Sequence, residues 1–170
     1  ETVSTTTVEE TTASSEIEVP EEQLLNTDLK KDDYLYDEYE TYIEITGYTG
    51  DDTELVIPSE FDGKAVTSIG KEAFLNCVNL SEIVIPDSVT KIDMIAFEGC
   101  TSLSEITIPD SVTEIGARAF SKCTSLSKIS IPDGVIEINT CTFSGCTNLT
   151  EIIIPESVTE ITSSALWQGS

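Results

Sequence analysis

From residue 66 onward the apolar positions recur every 23 residues. Counted from each Ile-Pro, residues 85–107 read IPDSVTKIDMIAFEGCTSLSEIT, residues 108–130 read IPDSVTEIGARAFSKCTSLSKIS, and residues 131–153 read IPDGVIEINTCTFSGCTNLTEII. A further copy, IPESVTEITSSALWQGS, begins at Ile154. An earlier copy, residues 57–84, is five residues longer, because SEFDGKAV stands where later copies have a short turn. A fixed period of about 20–29 residues with apolar positions in constant phase indicates a solenoid in which each repeat is one coil.

Leu80, Leu103, Leu126 and Leu149 form one apolar ladder. Ile83, Ile106, Ile129 and Ile152 form a second, and Ile57, Ile85, Ile108, Ile131 and Ile154 a third. Together they read L-x-x-I-x-I-P. Two isoleucines at period two face the same side of a short strand, and the proline, lacking an N–H, ends it. A second pair, V-x-x-I, follows at Val89 and Ile92 and recurs down to Val158 and Ile161. Then comes A-F-x-x-C, whose spacing predicts a short helix or 3₁₀ turn with Phe and Cys pointing inward. No single coil buries these side chains. Parallel coils stacked about 4.8 Å apart bury them as continuous columns.

Upstream, Tyr34 to Tyr36 and Tyr42 to Ile45 alternate on either side of acidic turn residues. They predict a hairpin over residues 34–55 that caps the first coil with aromatic side chains. Residues 1–33 are rich in Thr, Ser and Glu and have no aromatic residue. Such a segment buries too little apolar surface to offset chain entropy and predicts a disordered linker. The array proper is expected over residues 56–170, about five repeats with the last incomplete. Its uncovered last coil, with Trp167 as a partial lid, predicts end-to-end association or further repeats beyond it.

The full motif, L-x-x-I-x-I-P-x-x-V-x-x-I-x-x-x-A-F-x-x-C over residues 55–166, resembles the BspA-like leucine-rich repeat family. That family is found mostly on secreted and surface proteins of bacteria and some protists. The segment ITGYTGDDTELVIPSEFDGKAVTSIGKEAF also resembles the start of such arrays. The resemblance implies a right-handed, β-rich solenoid of short parallel strands. It also implies an extracellular or cell-surface location, with any signal peptide already removed. Two departures stand out: Cys141-Thr142 replaces x-Ala, and Leu166-Trp167 replaces Phe.

Charge narrows the partners. The chain has 170 residues and a net charge of −24. Residues 1–60 carry 18 acids and 2 lysines, and residues 61–170 carry 14 acids and 6 bases. Nucleic acid and anionic lipid both need positive surface, so neither is an expected partner. No stretch has the length of apolar sequence needed to span a membrane.

Catalytic chemistry has little to work with. The chain has no histidine, which removes Ser-His-Asp and Cys-His pairs and histidine-containing metal sites. Phosphate-binding glycine loops are also missing. Glu54, Glu82, Glu105, Lys128 and Glu151 share one outward strand position, but the repeat itself imposes their spacing. A general acid needs surroundings that separate two pKa values, and an open face supplies none. Asp87, Asp110, Asp133 and Glu156 follow each Pro. They suit calcium less well than a turn in which each carboxylate accepts backbone N–H groups. No cofactor or metal is therefore expected.

Cys77, Cys100, Cys123 and Cys146 recur in phase, so each is expected as a buried reduced rung rather than half of a disulfide. Cys141 has counterparts Glu72, Ile95, Arg118 and Ser164 and is expected near the surface. What remains for binding is the outward strand face: Glu82 and Val84, Glu105 and Thr107, Lys128 and Ser130, Glu151 and Ile153. These positions vary where buried ones do not. They predict either a non-catalytic module that binds host or neighbouring-cell protein or glycan, or a structural spacer in a larger secreted enzyme or surface assembly.

Overall fold

A computed structural model describes residues 24–166, with side chains from Lys31 onward. All regular secondary structure among the described residues is β. The chain enters as three antiparallel strands: β1 (Leu24–Lys31), β2 (Tyr34–Tyr39) and β3 (Tyr42–Tyr48). The first corrects the reading of residues 1–33 as linker throughout. Composition undervalues β1, because its order comes from backbone pairing with β2, such as Leu29 opposite Tyr36, rather than from its own apolar content. The turn into β2 places Asp32 at φ 53°, a conformation Asp tolerates. Residues 1–23 of the expected linker lie outside the described residues.

β3 links the hairpin to the array. It pairs antiparallel with β2 on one side and parallel with β6 (Lys64–Ile69) on the other. Tyr34, Tyr36, Ile43 and Ile45 all enter the core. The range 34–55 read as hairpin is too long at its end, since β4 (Glu54–Val56) is already the first rung of the outward strand column. The extra residues of the first copy form β5 (Glu60–Phe61), folded back on β6 through Asp62 and Gly63, both at positive φ. Phe61 is thereby packed between the rings of Tyr34 and Tyr36, at 5.6 and 5.0 Å.

Each later coil has two short strands. The L-x-x-I-x-I segments give β7 (Glu82–Val84), β9 (Glu105–Thr107), β11 (Lys128–Ser130) and β13 (Glu151–Ile153). The V-x-x-I segments give β8 (Lys91–Ile92), β10 (Glu114–Ile115), β12 (Glu137–Ile138) and β14 (Glu160–Ile161). Ile83, Ile106 and Ile129 point inward and their strand neighbours outward. The P-D-S-V turn between the strands is closed by backbone: Val89 N–H donates to the Pro86 carbonyl at 3.0 Å. The proline carbonyl, not the Asp87 carboxylate, is the acceptor.

The A-F-x-x-C segment, expected as a short helix or 3₁₀ turn, is a succession of isolated turns with no helix. A helix needs each N–H to bond four residues back. Here alternate N–H groups are given to the next coil: Phe74 to Ala96 at 2.8 Å, Phe97 to Ala119 at 2.8 Å, Phe120 to Thr142 at 3.0 Å. The remaining N–H groups close four-residue turns, as in Cys100 to Phe97 at 3.3 Å. Two residues per coil adopt left-handed φ, for example Ile95 at 64° and Gly99 at 75°, which no continuing helix allows. The inward Phe rings stack in parallel at 5.1, 5.4 and 5.7 Å from Phe74 through Phe143. Tyr48 of β3 closes the near end of that stack at 5.5 Å from Phe74.

The array has one seam. No strand pairing joins β9 to β11 or β10 to β12, while the strands on either side pair in register. Only the turn side bonds continuously across it, as in Lys122 N–H to Ser144 carbonyl at 2.7 Å. The copy after the seam reads PDGVIEI where others read PDSVTEI. Ser111 and Ser157 donate to a carbonyl of the preceding coil at 2.6 and 3.0 Å, and Thr113 and Thr159 do so at 3.4 Å. Gly134 and Ile136 have no hydroxyl to do either, and Ile136 stands exposed. At the far end Ile154, Ile161 and Leu166 are exposed as well; the expected Trp167 lid lies outside the described residues.

Candidate functional site

The outward strand face is built from the middle rungs of the first strand column. β4 pairs parallel with β7 and β7 with β9, placing Glu54 beside Glu82 and Glu82 beside Glu105. The same registers place Val56 beside Val84 and Val84 beside Thr107. Across the seam, β11 and β13 set Lys128 beside Glu151 and Ser130 beside Ile153. Glu82, Val84, Glu105, Thr107, Lys128, Ser130, Glu151 and Ile153 are all exposed. The structure therefore gathers them into two adjacent columns, one charged and one apolar-to-hydroxyl. Val56 heads the second column and, at 69%, is the most exposed large hydrophobic residue described. The ladder pattern reaches it one rung earlier than the sequence reading took it.

The three glutamates before the seam have neighbouring rungs about 4.8 Å apart, and no cation bridges them among the ion pairs described. Lys128 is paired with Glu151 at 2.7 Å, with both side chains more than half exposed. Such a pair contributes little to stability, but it sets the sign of charge on either side of the seam. Between β9 and β11 the face dips into a groove of about 470 Å³ lined by Ser104, Glu105, Thr107, Ser127, Lys128 and Ser130. The face is thus acidic toward the hairpin, grooved at the seam and neutralised beyond it.

The other candidate groups separate. Asp87, Asp110 and Asp133 are exposed, and among the described residues no three acidic or cysteine side chains come together as a metal cage. All five cysteines are free thiols. Cys100, Cys123 and Cys146 are buried, while Cys77 and Cys141 are half-buried. Each buried thiol donates to a carbonyl of the preceding coil: Cys100 to Phe74 at 3.1 Å, Cys123 to Phe97 at 3.2 Å, Cys146 to Phe120 at 3.0 Å. Burial pushes Cys100 up to about 12 and Cys146 up to about 11, raises Cys123 further still, and raises Cys77 as well. These thiols are structural, since the thiolate is the reactive form.

Sequence reasoning missed one buried charge. Glu98, only 6% exposed, takes Arg118 at 2.8 Å and Lys122 at 3.0 Å from the following coil. The only signal was an acid at one turn position of one coil and two bases at turn positions of the next. This cluster ties adjacent coils together.

The comparisons with known proteins bear on this geometry. The profile of the BspA type leucine rich repeat region matches residues 67–170 in six copies, more than half of the chain. The chain belongs to the BspA-type leucine-rich repeat family. Among solved structures it is similar to a leucine rich cell surface protein of Faecalibacterium prausnitzii A2-165, at 28% identity and TM-score 0.66, over 84% of this chain and 46% of that one. It is also similar to a leucine-rich repeat protein of Bacteroides ovatus, at 26% identity and TM-score 0.55, over 77% of this chain and 42% of that one. A leucine-rich repeat protein of Bacteroides capillosus shares the fold at 23% identity and TM-score 0.59, over 80% and 97% of the two chains. The chain thus spans less than half the length of the first two structures. No match is found among curated proteins. No helix in the described residues is long and apolar enough to cross a membrane.

Proposed function

We propose that this chain is an extracellular, non-catalytic protein-binding module of a bacterial secreted or surface protein, and that the outward strand face is its binding surface. The observation that carries the reading is the register: Glu54, Glu82 and Glu105 in one column and Val56, Val84 and Thr107 in the next, all exposed on a rigid parallel ladder. Solenoids bind through such extended faces. Apolar rungs beside an acidic column suit a protein partner with a basic patch flanked by apolar side chains. The likeness to a solved cell surface protein supports the extracellular placement. A second reading, a structural spacer within a larger assembly, is favoured by this chain matching only 46% and 42% of two solved relatives.

The test is a pull-down with the isolated chain against matrix and cell-surface proteins, followed by association rates for wild type and the Glu82→Lys, Glu105→Lys double variant. If the face binds, the variant associates about tenfold more slowly at low salt, and the gap narrows at high salt, where the screening length shrinks. Equal rates at both salt concentrations would move the site off this face and favour the spacer.

A further inference from the structure

A second groove lies on the other strand ladder, where the N-terminal hairpin joins the array. It has a volume of about 470 Å³ and is lined by Thr41, Tyr42, Glu44, Thr67, Ser68, Thr90 and Lys91, within the range of about 300–1,000 Å³ that holds small ligands. The registers of β3, β6 and β8 place Glu44 beside Ser68 and Ser68 beside Lys91. One outward column therefore offers, in consecutive rungs, a carboxylate that accepts, a hydroxyl that does both and an ammonium that donates.

Three features mark this as a built site rather than a surface dent. Ser68 is 5% exposed, and its Oγ has one partner, the Glu44 carboxylate, through a hydrogen bond of poor geometry that still lowers that carboxyl's pKa. A buried hydroxyl so weakly paired is costly, and this one lines the groove. Glu44 is half-buried, and its carboxyl is held above the usual range chiefly by burial, with Asp93 adding to the effect and Ser68 and Lys91 opposing it. Glycine makes room for that carboxyl, since a Cβ on Gly70 would come within 2.6 Å of Glu44 Oε1. Finally, Tyr42 stacks on Tyr39 at 4.4 Å and 7°, and Lys64 pins this hairpin tip by bonding Glu38 at 2.7 Å and the Tyr39 carbonyl at 2.8 Å.

From this arrangement we propose that the hairpin–array groove is a binding site for a neutral saccharide. The C–H face of a pyranose ring carries partial positive charge and packs on the electron-rich face of an aromatic ring. Its vicinal hydroxyls match the acceptor, hydroxyl and donor of Glu44, Ser68 and Lys91. Within the lining Glu44 and Lys91 cancel, and Lys91 is further held by Asp93 at 3.3 Å and Glu114 at 3.4 Å, so an anionic sugar would meet excess negative charge. This site is separate from the protein-binding face, and either can stand without the other.

The experiment titrates the full chain with cellohexaose, xylohexaose, mannohexaose and N-acetylchitohexaose, read by saturation-transfer difference NMR and calorimetry. At least one should bind saturably. Tyr42→Ala and Glu44→Gln should each weaken that binding about tenfold, the loss of one or two good contacts, and Glu82→Lys on the other face should leave it unchanged. Ser68→Ala removes the weakly paired hydroxyl, so it should weaken binding while leaving the melting temperature equal or higher. That combination separates a ligand-facing role from a structural one. No transfer from any of the four sugars, or binding that survives Tyr42→Ala, Glu44→Gln and Ser68→Ala alike, would overturn the proposal.

Discussion

The thiol of Cys123 donates to the carbonyl oxygen of Phe97, 26 residues earlier, at 3.2 Å. The same relation holds for Cys100 with Phe74 and for Cys146 with Phe120. In each case the donor and acceptor belong to adjacent coils, so the bond adds to the cohesion that stacking of the Phe column supplies. Cys123→Ala therefore removes both a buried sulfur and a bond between coils. It should cost about 1–2 kcal/mol, read as a lower denaturant midpoint with an unchanged slope. Cys141→Ala, outside this column, should stay within about 0.5 kcal/mol. Equal effects of the two would deny the column its role.

The same burial makes the fold sensitive to alkali. Unfolded thiols ionise near their usual value of 9.0, whereas Cys100 is pushed up to about 12 and Cys146 up to about 11. Between those values the folded chain keeps protons that the unfolded chain has lost, so stability falls as pH rises. The contribution is complete below pH 9.0 and disappears through the folded values. Tyr34, pushed up to about 12 by burial and nearby aspartates, adds to the loss above pH 10.0. Denaturant midpoints should decline from pH 9 to 11, and less steeply in Cys100→Ala. A variant with the wild-type slope would count against the thiols.

The turn positions store strain. Glu72, Ile95, Arg118, Cys141 and Ser164 occupy equivalent places with φ between 57° and 64°. A left-handed residue with a Cβ costs about 1–2 kcal/mol, while glycine adds about 0.5–1 kcal/mol of unfolded-chain entropy. Glu72 is exposed, and its bridge to Lys71 is a surface pair. Glu72→Gly should then stabilise the protein by about 0.5–1 kcal/mol, whereas Glu72→Ala, which keeps the Cβ, should gain nothing. Thermal melts of the two variants decide it, and a glycine no better than alanine would remove the strain argument.

The seam should be repairable from sequence. Ile136→Thr restores the hydroxyl that Thr113 and Thr159 use at the same rung. Donation to the Thr113 carbonyl should add about 0.5–1.5 kcal/mol and slow hydrogen exchange at the amides of β10 and β12. Exchange that stays as fast as in wild type would place the cause of the seam elsewhere.

The candidate face was legible in sequence because it is the complement of the buried ladder. Once Ile83, Ile106 and Ile129 are assigned inward, Glu82, Val84, Glu105, Thr107, Lys128 and Ser130 must point outward, since side chains alternate along a strand. The Glu98 cluster and the groove at Ser68 were not legible in this way. Glu98 meets bases 20 and 24 residues away, and Ser68 meets Glu44 across a strand pairing whose register contains a bulge. A local pattern carries no information about such offsets.

Sequence alone determined the coil and its period, the inward columns of Leu, Ile, Val, Phe and Cys, and the outward strand face. All of these follow from one physical demand, that each coil bury its apolar side chains against the next copy of itself. Tertiary structure decided where the directional bonds go. The A-F-x-x-C segment became turns because its N–H groups found carbonyls on the neighbouring coil. β1 became a strand because β2 offered it a pairing edge. The array opened at one step, the one where Gly134 and Ile136 bring no hydroxyl to the preceding coil. Burial follows composition and period, and so can be read along the chain. Hydrogen bonds depend on angles and on distances of about 3 Å, which exist only once the coils are stacked.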